Sequence, residues 1–281
     1  MPKISVIGIC GNSVFMGVDH FHEVGETIAA SEIFEEIGGK GINQAVAARR
    51  MGAEVSFLGA VGNDENGRKC IDFIENNKIK NFVVTKEGNA TPLAFILTDK
   101  SGNNQVTVHR GAELEICDLI LFEKEIAESD VLLIQHEVPE VVNRKAVEIA
   151  RKYNTKVILN PAPPRMITDD VAQSVCIVTP NEQEKKALDA EKFKCCITTL
   201  GDKGCAIDDR EIIPAIKTKA VDTTGAGDTF NGVLAVCIAE GMDLKKSCRY
   251  AVAASGISVG RRYVLNAIPY RDEIERKIKD E

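Results

Sequence analysis

The chain has 281 residues, enough for one large domain or two small ones, and its apolar (44%) and charged (27%) fractions are those of an ordinary globular protein. Lys+Arg 35 against Asp+Glu 42 gives a formal charge of -7, which argues against nucleic acid or an anionic membrane as a main partner, since either would want a basic footprint. The N-terminal apolar run is too short for a signal-peptide core and no run reaches the length of a membrane span, so a soluble cytoplasmic protein is expected.

In chain order, Ile4 to Ile9 reads as a short buried strand stopped by glycines. Gly38-Gly39-Lys40-Gly41 then opens an alanine-rich helix over Asn43 to Met51, closed by Gly52. Val55 to Val61 is a strand and Asp64 to Lys78 an amphipathic helix. Phe82 to Val84, Pro92 to Leu97 and Gln105 to Val108 are short strands with turns and no helix between them, which predicts antiparallel pairing. Together with the stretch 12–36, the segment 92–110 falls outside a parallel layer and is expected to form a small β lid. Val131 to Ile134, Val157 to Leu159, Cys176 to Val178 and Cys195 to Leu200 are further strands, and the first two flank a helix over Val141 to Tyr153. Helices are predicted over Gly227 to Glu240, Lys245 to Val259 and Asp272 to Lys279. Alternating strands and helices imply a mostly parallel sheet covered on both faces, a three-layer α/β/α arrangement, with no linker or repeat across 1–281.

The nine cysteines are scattered, odd in number and free of C-x-x-C spacing, so reduced thiols are expected, with Cys195 and Cys196 on opposite faces of their strand. His20, His22, His109 and His136 lack the companions of a metal site and are expected to be surface or packing residues. No G-x-x-x-x-G-K-[ST] occurs, and no G-x-G-x-x-G follows a strand, which excludes a P-loop enzyme and disfavours a dinucleotide oxidoreductase. Any phosphate grip must lie elsewhere. The strongest candidate is Asp222-Thr223-Thr224-Gly225-Ala226-Gly227-Asp228-Thr229-Phe230-Asn231-Gly232. Its glycines sit just before an apolar helix, where unpaired N–H groups and the positive dipole end attract anions. Asp228 falls in the first turn, placed to take a proton from a hydroxyl while the amides of Gly225, Ala226 and Gly227 stabilise charge on a transferred phosphoryl group.

That string resembles the signature of the ribokinase-like (PfkB) carbohydrate kinase family. Gly38-Gly39-Lys40-Gly41-Ile42-Asn43-Gln44-Ala45 is similar to its first signature, and Gln135-His136-Glu137, Asn160-Pro161-Ala162-Pro163, Thr179-Pro180-Asn181-Glu182-Gln183-Glu184 and Thr199-Leu200-Gly201-Asp202-Lys203-Gly204 follow in the family's order. The resemblance implies a lidded α/β/α kinase using ATP and Mg²⁺ to phosphorylate a hydroxyl, a primary alcohol by preference, of a sugar or sugar-like molecule. Asp228 would be the general base, and Gly39, Lys40, Asn43 and Glu137 would contact the acceptor. Asn181, Thr199, Gly201 and Gly204 would line the nucleotide pocket. Asn181 and Glu184 would hold Mg²⁺ through water, Asp222 and Thr224 a monovalent cation such as K⁺, and two copies would pair through the lid.

The match breaks in two places. The family's N-x-D element, which pairs sugar hydroxyls after the first strand, is replaced here by Gly11 and Ser13, with Asn12 or Asp19 as candidate substitutes. Losing such a partner costs several kcal/mol when buried, so ribose is not the favoured acceptor. The loop Arg261 to Pro269 carries Tyr263 and Ala267 where the family has small glycine and serine residues, which weighs against potassium activation. A nucleoside or sugar phosphate remains open as acceptor, as does a catalytically weak sugar- or nucleotide-binding sensor.

Overall fold

The structure, a computed structural model, describes residues 1–280. Six parallel strands form the central sheet in the spatial order Ile177–Val178, Lys156–Asn160, Val131–Gln135, Lys3–Ile7, Glu54–Leu58 and Lys80–Asn81. Their apolar runs are continuous because both faces are covered, and strand alternation divides each run between two cores. Ile4, Val6, Val131, Leu133 and Ile158 belong to one cluster, with the helices Lys40–Arg50, Ala226–Ala239 and Leu244–Ser258 over it. Ile7, Leu132, Ile134, Val157 and Leu159 belong to the other, under the Glu140–Tyr153 helix.

Beyond the Ile177–Val178 edge, the bridges Val178 to Cys196 and Asn181 to Thr199 carry the layer into a three-stranded antiparallel sheet, Ile197–Thr199, Cys205–Ile207 and Glu211–Ile213. The regular strand is shorter than the expected Cys195 to Leu200. Cys195 and Cys196 do face opposite ways, the first packing against one core and the second lying in the other. All nine cysteines are free.

The lid is a separate four-stranded sheet in the order Glu32–Gly38, Gly11–Gly17, Leu93–Thr98 and Asn104–His109. Its outer pairs are antiparallel as expected, but the central pair, Gly11–Gly17 with Leu93–Thr98, is parallel because the chain passes through the main sheet between them. Phe82 to Val84 is not one strand either: Lys80–Asn81 closes the central sheet, and Val84–Lys86 pairs with Ala60–Gly62. Among the described residues no helix is long and apolar enough to cross a membrane.

One contact positions the site. The Lys40–Arg50 and Ala226–Ala239 helices touch at Gly232, where a Cβ would meet Ala47 Cβ and the Gln44 carbonyl oxygen at 2.5 Å each. Glycine at 232 and alanines at 45, 47 and 48 let the two backbones approach, and this brings Asn43 and Gln44 alongside Asp228.

Candidate active site

The Ala226–Ala239 helix is capped by Gly225 in the left-handed region (φ 73°), a conformation suited to glycine. A Cβ at Gly225 would also overlap the Val264 side chain, while Gly227 faces open space. The Ala226 N–H already donates to the Thr223 carbonyl at 3.3 Å, whereas those of Gly227 and Asp228 have no backbone partner, and the helix dipole adds to their pull on an anion.

Asp228 lies just inside that turn and is 6% exposed. Its two oxygens are each held by an amide of the neighbouring helix: Asn43 Nδ2 donates to Oδ2 at 2.9 Å and Gln44 Nε2 to Oδ1 at 3.0 Å. Gln44 is also held from the other side, accepting from Gln135 Nε2 at 2.7 Å and donating to Asn160 Oδ1 at 3.2 Å. Asn143 fixes the backbone of Gln135, and Asn160 donates to the Thr179 carbonyl. A chain of buried amides thus runs from the sheet to the carboxylate. Asn43 Oδ1 is buried without a partner, a hydrogen-bond acceptor left open beside Asp228.

Lys40 and Glu137 flank this carboxylate. The Lys40 backbone N–H donates to Glu137 Oε2 at 2.8 Å. Asp228 holds the Lys40 ammonium above its usual range despite burial, with Glu137 and Glu184 adding to the effect. Burial pushes the Glu137 carboxyl up to about 7; nearby Lys40 opposes the shift and Asp228 adds to it. Gly39 precedes the helix at φ 114°, where a Cβ would meet the Ile9 carbonyl at 2.6 Å. Four of the residues expected to contact the acceptor, Gly39, Lys40, Asn43 and Glu137, are therefore gathered at Asp228.

On the other side of Gly227 lies a cleft of about 820 Å³ whose walls include Asn181, Thr199, Gly201, Gly204, Ala226 and Gly227. Thr199, Gly201 and Gly204 also form the hairpin that an isolated turn would give, with Gly201 and Gly204 at positive φ. Asn181 caps the Glu182–Lys186 helix, accepting from the N–H groups of Gln183 and Glu184, while Glu184 Oε2 accepts from the Asn181 N–H at 2.9 Å. This capping box leaves one Glu184 oxygen free. Burial pushes the Glu184 carboxyl up, and Lys40 and Asp228 both act on it, which places it within electrostatic reach of the same centre.

Asp222 accepts from the N–H groups of Thr224 (2.9 Å) and Tyr263 (3.1 Å), tying the glycine loop to the 261–269 segment. In the lid, Gly11, Ser13 and Phe15 oppose Gly38, Glu36 and Phe34 and share their face. Asn12 is a correction to the expected acceptor set. Strand alternation turns it to the opposite face, where its Nδ2 donates to Glu35 at 3.2 Å. Asp19 is also elsewhere, exposed and paired with Lys100. His20 bonds Glu26, and His109 is exposed. His136 is buried, with Nδ1 on the Pro163 carbonyl at 3.1 Å; burial first and the Arg165 charge second hold its ring down to about 4 against the opposing pull of that carbonyl, so it is neutral at physiological pH. Gln44, Gln135 and Asn160 sat inside the quoted motifs without a role; their common signal was an amide side chain in an otherwise apolar stretch.

The chain matches the pfkB family carbohydrate kinase pattern over residues 1–271. It is 34% identical to a ribokinase of Lactococcus lactis, over 100% of this chain and 98% of that protein, and 32% identical to a ribokinase of Haemophilus influenzae, over 96% of each. A crystal structure of ribokinase from Thermotoga maritima superimposes with a TM-score of 0.89 at 34% identity, covering 99% of this chain and 100% of that one. The fold is thus a known architecture, and the chain belongs to the pfkB family of carbohydrate kinases.

Proposed function

We propose that this ATP-dependent carbohydrate kinase transfers a phosphoryl group to a hydroxyl of a free sugar, with Asp228 as the general base. The observation that carries the reading is Asp228 itself, buried in the first turn beneath an open glycine cap, with Asn43 and Gln44 each holding one oxygen. ATP would lie in the cleft beside Thr199, Gly201 and Gly204, its phosphates directed toward Gly227. The acceptor would sit between Lys40, Glu137 and the lid face carrying Ser13, and the unpartnered Asn43 Oδ1 would accept one of its hydroxyls. Asp228 then takes the proton of the attacking hydroxyl, while the N–H groups of the first turn stabilise charge on the transferred group. Lys40, close enough to Asp228 for their charges to interact strongly, adds positive charge at the same point.

Two cations suit the residues present. The free oxygen of Glu184 beside the nucleotide cleft, with Asn181 next to it, offers the hard oxygen ligands of Mg²⁺, which when bound would neutralise phosphate charge. Burial and the Asp222 carboxylate push Glu36 above the usual carboxylate range, a crowding of negative charge that a monovalent cation such as K⁺ held near Asp222 and Thr224 would relieve. The lid carries exposed Ile33 and Phe95 on one face and Val106 and Val108 on the other, apolar surface that supports pairing of two copies through it.

The relatives' name makes ribose one acceptor to test, yet Gly11 and Ser13 supply fewer hydroxyl partners than an N-x-D element. An ADP-release screen over free sugars, sugar phosphates and nucleosides tests this, with Asp228→Asn alongside. Turnover on a free sugar other than ribose, reduced about 100-fold or more in the variant, is expected. Wild-type turnover by the variant removes Asp228 from its role; turnover confined to nucleosides or sugar phosphates replaces the acceptor, and ligand binding without turnover on any compound favours a sensor.

A further inference from the structure

The 263–265 backbone holds two carboxylates from different parts of the molecule. Three successive N–H groups point outward: Tyr263 donates to Asp222, Val264 to Glu36 Oε1 at 2.9 Å and Leu265 to Glu36 Oε2 at 3.1 Å. Tyr263 takes φ 66°, a left-handed conformation uncommon for a bulky residue, and this makes the run a concave anion-binding nest. Asp222 belongs to the glycine loop, whereas Glu36 belongs to the lid strand Glu32–Gly38. The Tyr263 ring stacks on Phe34, from the same lid face, with centroids 3.7 Å apart and planes at 18°, and meets Phe15 edge-on. The following Val264 side chain packs against Gly225, the cap of the catalytic helix. Arg50 Nη1 steadies the far side of the loop by donating to the carbonyls of Leu265 (2.6 Å) and Ile268 (2.7 Å).

We propose that Glu36 is a positioning residue, a latch that fastens the lid to the loop shaping the anion hole. The lid strand that carries it runs directly into Gly39 and Lys40, so one carboxylate sets the height of the lid, the start of the acceptor-binding helix and the packing of Val264 on Gly225 together. The latch keeps water from the phosphate site when no acceptor is bound, because a lid held down excludes solvent. The inference rests on the proposed anion hole at Gly225 to Gly227, and Asp228→Asn serves as the control for that reading.

Glu36→Gln is the informative variant. Its shape is nearly that of glutamate, so a packing role would survive it; its amide group would face a backbone N–H, and one of the two bonds must be lost. Hydrogen exchange in the presence of ADP and phosphate release from MgATP without acceptor are measured. The lid strands and residues 263–265 should exchange at least about tenfold faster together, since a hydrogen bond to a charged group is worth that factor or more. The central sheet should be unaffected, and ATP hydrolysis, in which water replaces the sugar hydroxyl and yields ADP and phosphate, should rise. Lid exchange and phosphate release both at wild-type levels overturn the latch, as does faster exchange confined to the Val264 and Leu265 amides. If Asp228→Asn leaves wild-type phosphate release unchanged, the catalytic reading fails while the exchange result still decides the latch. Should Glu36→Gln fold poorly, Tyr263→Gly keeps the left-handed backbone and removes only the ring stack; it should loosen the lid in the same direction, and unchanged lid exchange there refutes the coupling.

Discussion

Replacing Gln44 by leucine tests whether the buried amide chain holds the Asp228 carboxylate. The side chain is fully buried, as is that of Gln135 to within 1%. In Gln44→Leu, Asp228 Oδ1 loses its donor, Asn160 Oδ1 loses the amide now 3.2 Å away, and Gln135 Nε2 loses the acceptor at 2.7 Å. Leaving a buried polar group unpaired costs about 1–3 kcal/mol, so orphaning the two amides costs about 2–6 kcal/mol. At roughly 2–4 °C per kcal/mol for a chain of this size, the melting temperature should fall by about 10 °C. Asp228, then held only by Asn43, is free to swing, and kcat should fall by about 10-fold or more with a smaller change in KM. Thermal melts and steady-state kinetics on the best acceptor of the screen measure both. The double variant Gln44→Leu/Gln135→Leu sharpens the reading: it removes the Gln135 group that the first substitution orphans, so its cost should be less than the sum of the single ones. Strict additivity, or a single variant that melts within about 2 °C of wild type and keeps kcat, refutes the network as the support of Asp228.

Glu137, raised to about 7, stays protonated in the folded chain where the unfolded chain has lost its proton. The unfolded state binds fewer protons between about pH 4.5 and pH 7, so this group lowers stability as pH rises through that window, by about 3 kcal/mol in all. Glu137→Gln should flatten that decline in melts taken across the window, and an unchanged slope would remove burial as the cause. Gly232→Ala forces the two central helices apart where a Cβ meets Ala47 and the Gln44 carbonyl at 2.5 Å. Destabilisation of about 1–3 kcal/mol is expected, with a fall in kcat because Asn43 and Gln44 move away from Asp228; kinetics and denaturant titration check both.

The proposed catalytic centre was legible because its signals are local. Glycine cap, first-turn carboxylate and capping asparagine are each set by a few consecutive residues, and the structure places Asp228, Asn181 and Gly225 as that grammar predicts. The lid was less legible. Strand boundaries near Phe82 to Val84 were blurred because a two-residue strand carries almost no periodic signal. The parallel pairing of Gly11–Gly17 with Leu93–Thr98 depends on a connection of many residues through the main sheet, which no local pattern records. Asn12 was misplaced for the same reason: residue type suggested a hydroxyl partner, but the face it occupies is decided by register against Ile37. Glu36 gave no local signal, because its partners at Val264 and Leu265 lie more than two hundred residues away.

The place of Gly11–Gly17 inside the lid has a practical side. Both of its edges are already paired, to Glu32–Gly38 and to Leu93–Thr98, so the strand has no open edge along which to slip. Ser13 can then be varied in a combinatorial library with the backbone held in register, whereas Phe15 meets Tyr263 edge-on and belongs to the proposed latch. If the acceptor reads this face as proposed, its preference is adjustable on one ribbon, apart from the helix pair that carries Asp228.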